Sequence, residues 1–191
     1  IDPIVTASQM INSIQTIVSR SMPLTTAAAV VTIGSIHGGV RSNIIPEKLY
    51  MLGTIRTLDN SMRATVLTRL DEIVQNVAAA NNVKAEVTFM NSYPVTYNDP
   101  ELYEKMLPTL IRVCGADNVN YMDAITGAED FSFFQKEVPG VYFFIGGTSK
   151  GMDLDKVAPH HTPDFYVDDS ALETGVVSMT SLTLDYFTKG L

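Results

Sequence analysis

Three histidines stand at positions 37, 160 and 161, and the one cysteine is Cys114. A catalytic zinc takes three protein ligands, commonly histidine or carboxylate, and a two-metal centre takes more, including a bridge. His160 and His161 are adjacent, so extended backbone turns them to opposite sides and no more than one joins a given metal. Spacing alone favours two surface histidines in a proline-flanked loop. Their setting adds weight to a functional reading, because the pair follows Gly146-Gly147 and precedes a capped helix, where α/β proteins build their sites.

Glu129-Asp130 sits between Gly127-Ala128 and Phe131, at an expected loop-to-helix start. Asp130 suits an N-cap, whose carboxylate would take the first free amides of the helix. That leaves Glu129 without a structural role. Arg56 offers a bidentate fork for a carboxylate, and Asn43 in a glycine-rich loop offers an amide; either could equally tie down local backbone. Cys114, at an apolar helix end, reads as a small buried hydrophobe rather than a reactive thiol. Phosphate-cradling glycine loops and Gly-x-Ser-x-Gly elbows are absent from the sequence. The residues supply parts of a site and not a complete one.

The elements that would position these residues fall into two halves of different charge. The net −8 divides into +1 over residues 1–92 and −9 over residues 93–191. Such acidity opposes phosphate backbones and anionic lipid, so neither nucleic acid nor membrane is an expected partner. One cysteine excludes a disulfide framework and favours a reducing compartment, with the cytoplasm the expected location.

In the first half, Asp2-Pro3 reads as a cap followed by proline at the first helical position, and Ile4, Ala7, Ile11, Ile14 and Val18 form an apolar stripe. Ala27 to Ile33 reads as a buried strand, and Gly34, Gly38 and Gly39 as a loop or bulge around His37. Lys48 to Arg56 alternates, with Tyr50, Leu52, Thr54 and Arg56 on one face and Leu49, Met51 and Ile55 on the other. A helix over Asn60–Asn81 and a strand over Ala85–Met90 follow. One strand ahead of Asp2 would complete a βαββαβ two-layer arrangement.

In the second half, Asn91–Thr96 reads as the crossing between units. Asp99-Pro100 opens a helix through Leu102, Met106, Leu110 and Val113 that stops at Gly115. Val141–Ile145 is a continuous apolar run, expected as a central strand covered on both faces. The last helix is capped near Asp169-Ser170 and carries Leu172, Val176, Met179, Leu182 and Phe187. The expected class is α/β, with this half the closing part of an α/β domain.

Several long motifs occur in order: Ile1-Asp2-Pro3-Ile4 through Leu24, VTIGSIHGGVRSNIIPE at 31–47, GTIRTLD at 53–59, GAEDFSFF at 127–134, VPGVYFFIGG at 138–147 and HTPDFYVDDSAL at 161–172. Together they resemble the metal-dependent amidohydrolases of the aminoacylase/carboxypeptidase superfamily, zinc metallopeptidases in fold. The nearest branch holds hippurate hydrolases, indole-acetyl-amino-acid hydrolases and N-acyl-amino-acid deacetylases.

The resemblance implies an α/β zinc-exopeptidase-like catalytic domain interrupted by a lid or dimerisation domain. Residues 1–92 would be the lid without its first strand, and residues 93–191 the C-terminal part of the catalytic domain. It further implies hydrolysis of an N-acyl amino acid by a metal-activated water with a glutamate as general base. The metal would be divalent, two ions, zinc or manganese, with cobalt or nickel as alternatives, in a homodimer joined through the lid. His161 matches the last metal ligand of the family, and His160 falls where relatives often have Asn. Asn43 and Arg56 match lid positions that face the substrate's carboxylate or the developing oxyanion, in some relatives within a partner subunit's site. Glu129 matches the glutamate before Asp-Phe near the metal. The general base and the remaining metal ligands would lie upstream of Ile1, so the expectation is a C-terminal fragment inactive alone. Two other readings are a non-catalytic dimerisation module and a dipeptidase or carboxypeptidase of the same superfamily.

Overall fold

The computed structural model describes residues 1–90 and 93–190. Helix α1 spans Pro3–Ser21, and its start follows from its first residues. The Asp2 carboxylate accepts from the amides of Ile4, at 2.9 Å, and Val5, and proline occupies the first turn where no amide is needed. Strands β1 (Ala29–Gly38) and β2 (Leu49–Thr57) pair antiparallel, and α2 spans Asn60–Ala80 with Asp59 accepting from the Met62 amide. Met10, Ile14 and Ile17 of α1 pack with Val66, Leu70 and Val74 of α2 and Val31 of β1 in one apolar core. Burial of side chains of this size contributes roughly 1.5–3 kcal/mol each.

The expected order of helix, two strands and helix holds, with two corrections in this region. Of the loop or bulge expected around His37, the bulge is present, at Gly34 where the register slips between Ile33 and Ser35, but not the loop: β1 runs on past His37 through Gly38. The third strand, Ala85–Met90, does not form. Ala85 and Val87 still turn toward the core while Lys84, Glu86 and Thr88 face solvent. The side-chain alternation is present, but a strand also needs a neighbour for its amides and carbonyls, and the sheet has two strands among the described residues. Of the expected crossing over Asn91–Thr96, Asn91 and Ser92 lie outside the described residues.

Helix α3 (Pro100–Cys114) is capped by Asp99 on the Leu102 amide and ends at Gly115, whose φ of +85° suits a residue without a Cβ. A single turn, α4, spans Phe131–Phe134, and α5 spans Ser170–Lys189. Val141–Ile145 is not a covered central strand. Asn98 takes the place of a neighbouring strand: its amide donates to the Tyr142 carbonyl at 2.8 Å and its oxygen accepts from the Tyr142 amide at 2.7 Å. With no second strand alongside, Phe144 and Ile145 remain exposed.

Of the apolar residues read on α5, Leu182 is buried. Leu172, Val176, Met179 and Phe187 face solvent, and the side of α5 that meets α3 carries Ser178, Leu182 and Asp185. Asp185 accepts from Thr109 Oγ1 at 2.5 Å, Arg112 Nη2 at 2.9 Å and Lys189 Nζ at 2.9 Å. The Thr109 hydroxyl first, then Lys189 and Arg112, hold its carboxyl far below the usual carboxylate range. Cys114 is half-buried, with its Sγ 3.5 Å from Ser178 Oγ, a packing contact rather than a reactive setting.

The chain divides into two compact units. One comprises Ile1–Val95 with Ile125–Glu129, the other Thr96–Ala124 with Asp130–Leu191. In the described residues no helix is long and apolar enough to cross a membrane.

Candidate functional site

His161 sits in a turn at φ +65°, one of two non-glycine residues in the left-handed region among those described. Backbone held there carries strain that surrounding contacts must offset. Here the Thr162 hydroxyl donates to the Pro159 carbonyl at 2.7 Å, and the Phe165 amide to the Thr162 carbonyl at 3.2 Å, closing the turn on both sides of the histidine. The His160 ring packs edge-on against Phe165 with centroids 4.6 Å apart, and lies 6.5 Å from the His161 ring at 75°. The pair is therefore separated by a left-handed turn rather than by the alternation of extended backbone.

The turn is tied to the Gly146-Gly147 end of the apolar run. The Asp168 amide donates to the Gly147 carbonyl at 2.8 Å, and a Cβ on Gly147 would lie 2.8 Å from Val167 Cγ1. Glycine is needed there by that approach. Asp169 stands at the N-cap of α5, as its sequence suggests, but its side chain makes no capping bond; the Asp168 carboxylate accepts from the Ser170 amide at 2.9 Å. The Ser149 hydroxyl, with the Ser170 amide, holds the Asp168 carboxyl down to about 2.

Arg56 lies on the outer face of β2, opposite Val30 of β1. Its Nη1 donates to the Thr126 carbonyl at 2.8 Å, and Thr126 belongs to the short segment that clusters with the first unit. Glu129 closes that segment, half-buried, immediately before α4. Asp130 stands at the helix start but makes no capping bond, so the expected capping role is not realised; its φ and ψ of −66° and −23° already place it in helical backbone. Asn43 lies exposed in the turn joining β1 to β2, beyond the Gly38–Leu49 end of the ladder. Six residues of β2 separate Leu49 from Arg56, on the order of 20 Å along a strand. The structure thus brings Arg56 together with the segment that ends at Glu129, and leaves Asn43 at the opposite end of the hairpin.

The described residues hold no group of three or more histidine, cysteine, aspartate or glutamate side chains able to hold a metal. The donor set of this chain therefore does not fit a metal centre by itself. Sequence reasoning missed Thr126, whose contribution is a carbonyl that any residue type would supply. It also missed the knot around Asp185, for which the signal was a carboxylate four residues from Lys189 on the same helix.

The hairpin carrying an exposed arginine and the glycine-tied histidine turn lie within one family pattern. The chain belongs to peptidase family M20/M25/M40, whose profile matches residues 7–185. It is 33% identical over 190 residues to thermostable carboxypeptidase 2 of Saccharolobus solfataricus, covering 99% of this chain and 47% of that protein. It is 34% identical over 181 residues to N-acetyldiaminopimelate deacetylase of Bacillus subtilis, covering 94% of this chain and 46% of the relative. A solved Bacillus subtilis structure, described as a dinuclear metal binding peptidase from the M20 family, superposes with a TM-score of 0.69 at 26% identity. It covers 96% of this chain and 46% of the other. The chain spans about half the length of the relatives it matches.

Proposed function

We propose that this chain is the lid and the closing part of the catalytic domain of a metal-dependent amidohydrolase acting on N-acyl amino acids. The observation that carries the reading is the match of residues 7–185 to the M20/M25/M40 peptidases together with 34% identity to a deacetylase of an N-acetylated amino acid. Residues 1–92 would form the lid and residues 93–191 the catalytic portion, acting in the cytoplasm as a homodimer joined through the lid. His161 would contribute one ligand to a divalent site, with zinc or manganese ions, completed by residues outside this chain; its strained, well-tied turn suits a ligand whose direction must be fixed. Arg56 would face the substrate's carboxylate with the N–H groups it does not spend on Thr126. Asn43, at the far end of the hairpin, would serve a partner subunit's site, and Glu129 would lie near the metal.

The test compares two lengths of chain. The 191 residues alone, supplied with zinc or manganese, are expected to leave hippurate and N-acetyl amino acids intact, and a chain of the relatives' full length to hydrolyse them in preference to dipeptides. In the longer chain His161→Ala is expected to lose bound metal and turnover while its oligomeric state is kept. Hydrolysis by the 191 residues, or unchanged turnover in the variant, would falsify the assignment.

A further inference from the structure

Residues 125–129 lie well inside the second half of the sequence yet cluster with the first unit. They lie in neither helix nor strand, and Ile125, Gly127 and Ala128 are exposed, so apolar packing does little to hold them. Thr126 and Glu129 are the half-buried members. The bond that reaches Thr126 comes from 70 positions earlier, from Arg56 Nη1 to the Thr126 carbonyl at 2.8 Å. Arg56 itself is carried on a paired strand of nine residues, a firm base compared with the segment it touches. A guanidinium presents five N–H donors in a rigid fork, so one can hold the carbonyl while others remain for an anion.

We infer that Arg56 is a positioning residue: by holding the Thr126 carbonyl it fixes the conformation of residues 125–129 and thereby the place of the Glu129 carboxylate. This rests on the proposed reading of Glu129 as a near-site group, but the contact itself does not depend on hydrolysis. A residue that only bound the substrate's carboxylate would have no reason to fix this segment. Loss of the guanidinium should therefore act on two quantities at once, the order of the segment and turnover of every substrate, with or without a carboxylate.

Amide hydrogen exchange on the 191-residue chain tests the first. In Arg56→Gln the amides of residues 126–129 are expected to exchange about threefold to tenfold faster, the loss of one net hydrogen bond, while the β1–β2 ladder keeps its protection. Arg56→Lys, which keeps a donor and the charge, is expected to recover part of the difference. Unchanged exchange in Arg56→Gln, or a ladder loosened as much as the segment, would overturn the inference. Kinetics on a chain of the relatives' length test the second. Arg56→Gln is expected to lower kcat on an N-acyl amine lacking a carboxylate as well as on an N-acyl amino acid. A defect confined to KM for the carboxylate-bearing substrate would also overturn it. If the unsubstituted longer chain hydrolyses neither substrate while Arg56→Gln still frees the segment, the hydrolase reading fails and the contact stands as a purely structural one.

Discussion

The two units hold themselves together by different means. In the first, Ile14, Ile17 and Val66 are fully buried where two helices cover one face of a hairpin, and the stripe read on α1 meets that core through Ile14, with Met10 and Ile17 beside it, while Ile4 is exposed. In the second, the buried groups at the meeting of α3 and α5 include Thr109, Ser178 and Asp185, while Val176 and Phe187 are 66% and 79% exposed. An apolar stripe therefore foretells a helix in both units but a core in only one. Apolar contact is tolerant of geometry, whereas a carboxylate serving three donors is specific and fails when any proton or partner is misplaced.

The contrast is broken most forcefully from the apolar side. Ile17→Ala is expected to cost the first unit about 3 kcal/mol, roughly 15 °C in its midpoint, with α3 and α5 keeping their exchange protection. Equal loss of protection in both units would show that they unfold as one. Next in size is Asp185→Ala, which leaves Thr109, Arg112 and Lys189 without their shared acceptor. Its expected effect is a fall of about 8 °C in the midpoint of the second unit, read by exchange at α3 and α5, with the first unit unmoved.

Acid separates the units by a smaller margin. Asp185 and Asp168 are held below their ordinary values by hydroxyl, amide and cationic donors. Because the folded forms bind protons more weakly than the unfolded ones, the stability they contribute is full above the ordinary carboxylate value of 3.8 and is lost as pH falls below it. In the first unit Asp59 is lowered, mainly by the Ser61 hydroxyl and then the Met62 amide. Melting followed from pH 6 toward about 2 should thus lower the second unit more steeply; parallel curves would refute the assignment of its stability to those carboxylates. The smallest effect expected is Asp2→Ala, about 1 kcal/mol and roughly 4 °C, confined to α1 and seen in the exchange of its first turn.

What could be read from the sequence follows the range of the forces concerned. Asp2-Pro3 and Asp99-Pro100 mark helix starts because a cap joins residues two or three apart. Ala85–Met90 and Val141–Ile145 show the pattern of strands, yet a ladder depends on a neighbour that the pattern does not contain. At the candidate site His161 and Arg56 were legible as chemistry, one by its motif and the other by its strand face. The left-handed backbone of His161 and the bond from Arg56 to Thr126 were not, the first because histidine rarely adopts that conformation and the second because its acceptor is main chain.

The slip at Gly34 acts on everything after it in β1 as a change of parity. Before it Val31 and Ile33 share the core side with Ile55 and Gly53; after it His37 stands opposite Tyr50, on the side of the sheet that carries Arg56. Were Gly34 paired like its neighbours, His37, four positions on, would fall in step with Ile33 and face the helices. Drawing Gly34 into a regular ladder should swing His37 inward and Ile36 outward, whereas deleting it should leave both where they are, so the bulge at one glycine decides whether the third histidine of this chain meets solvent or oil.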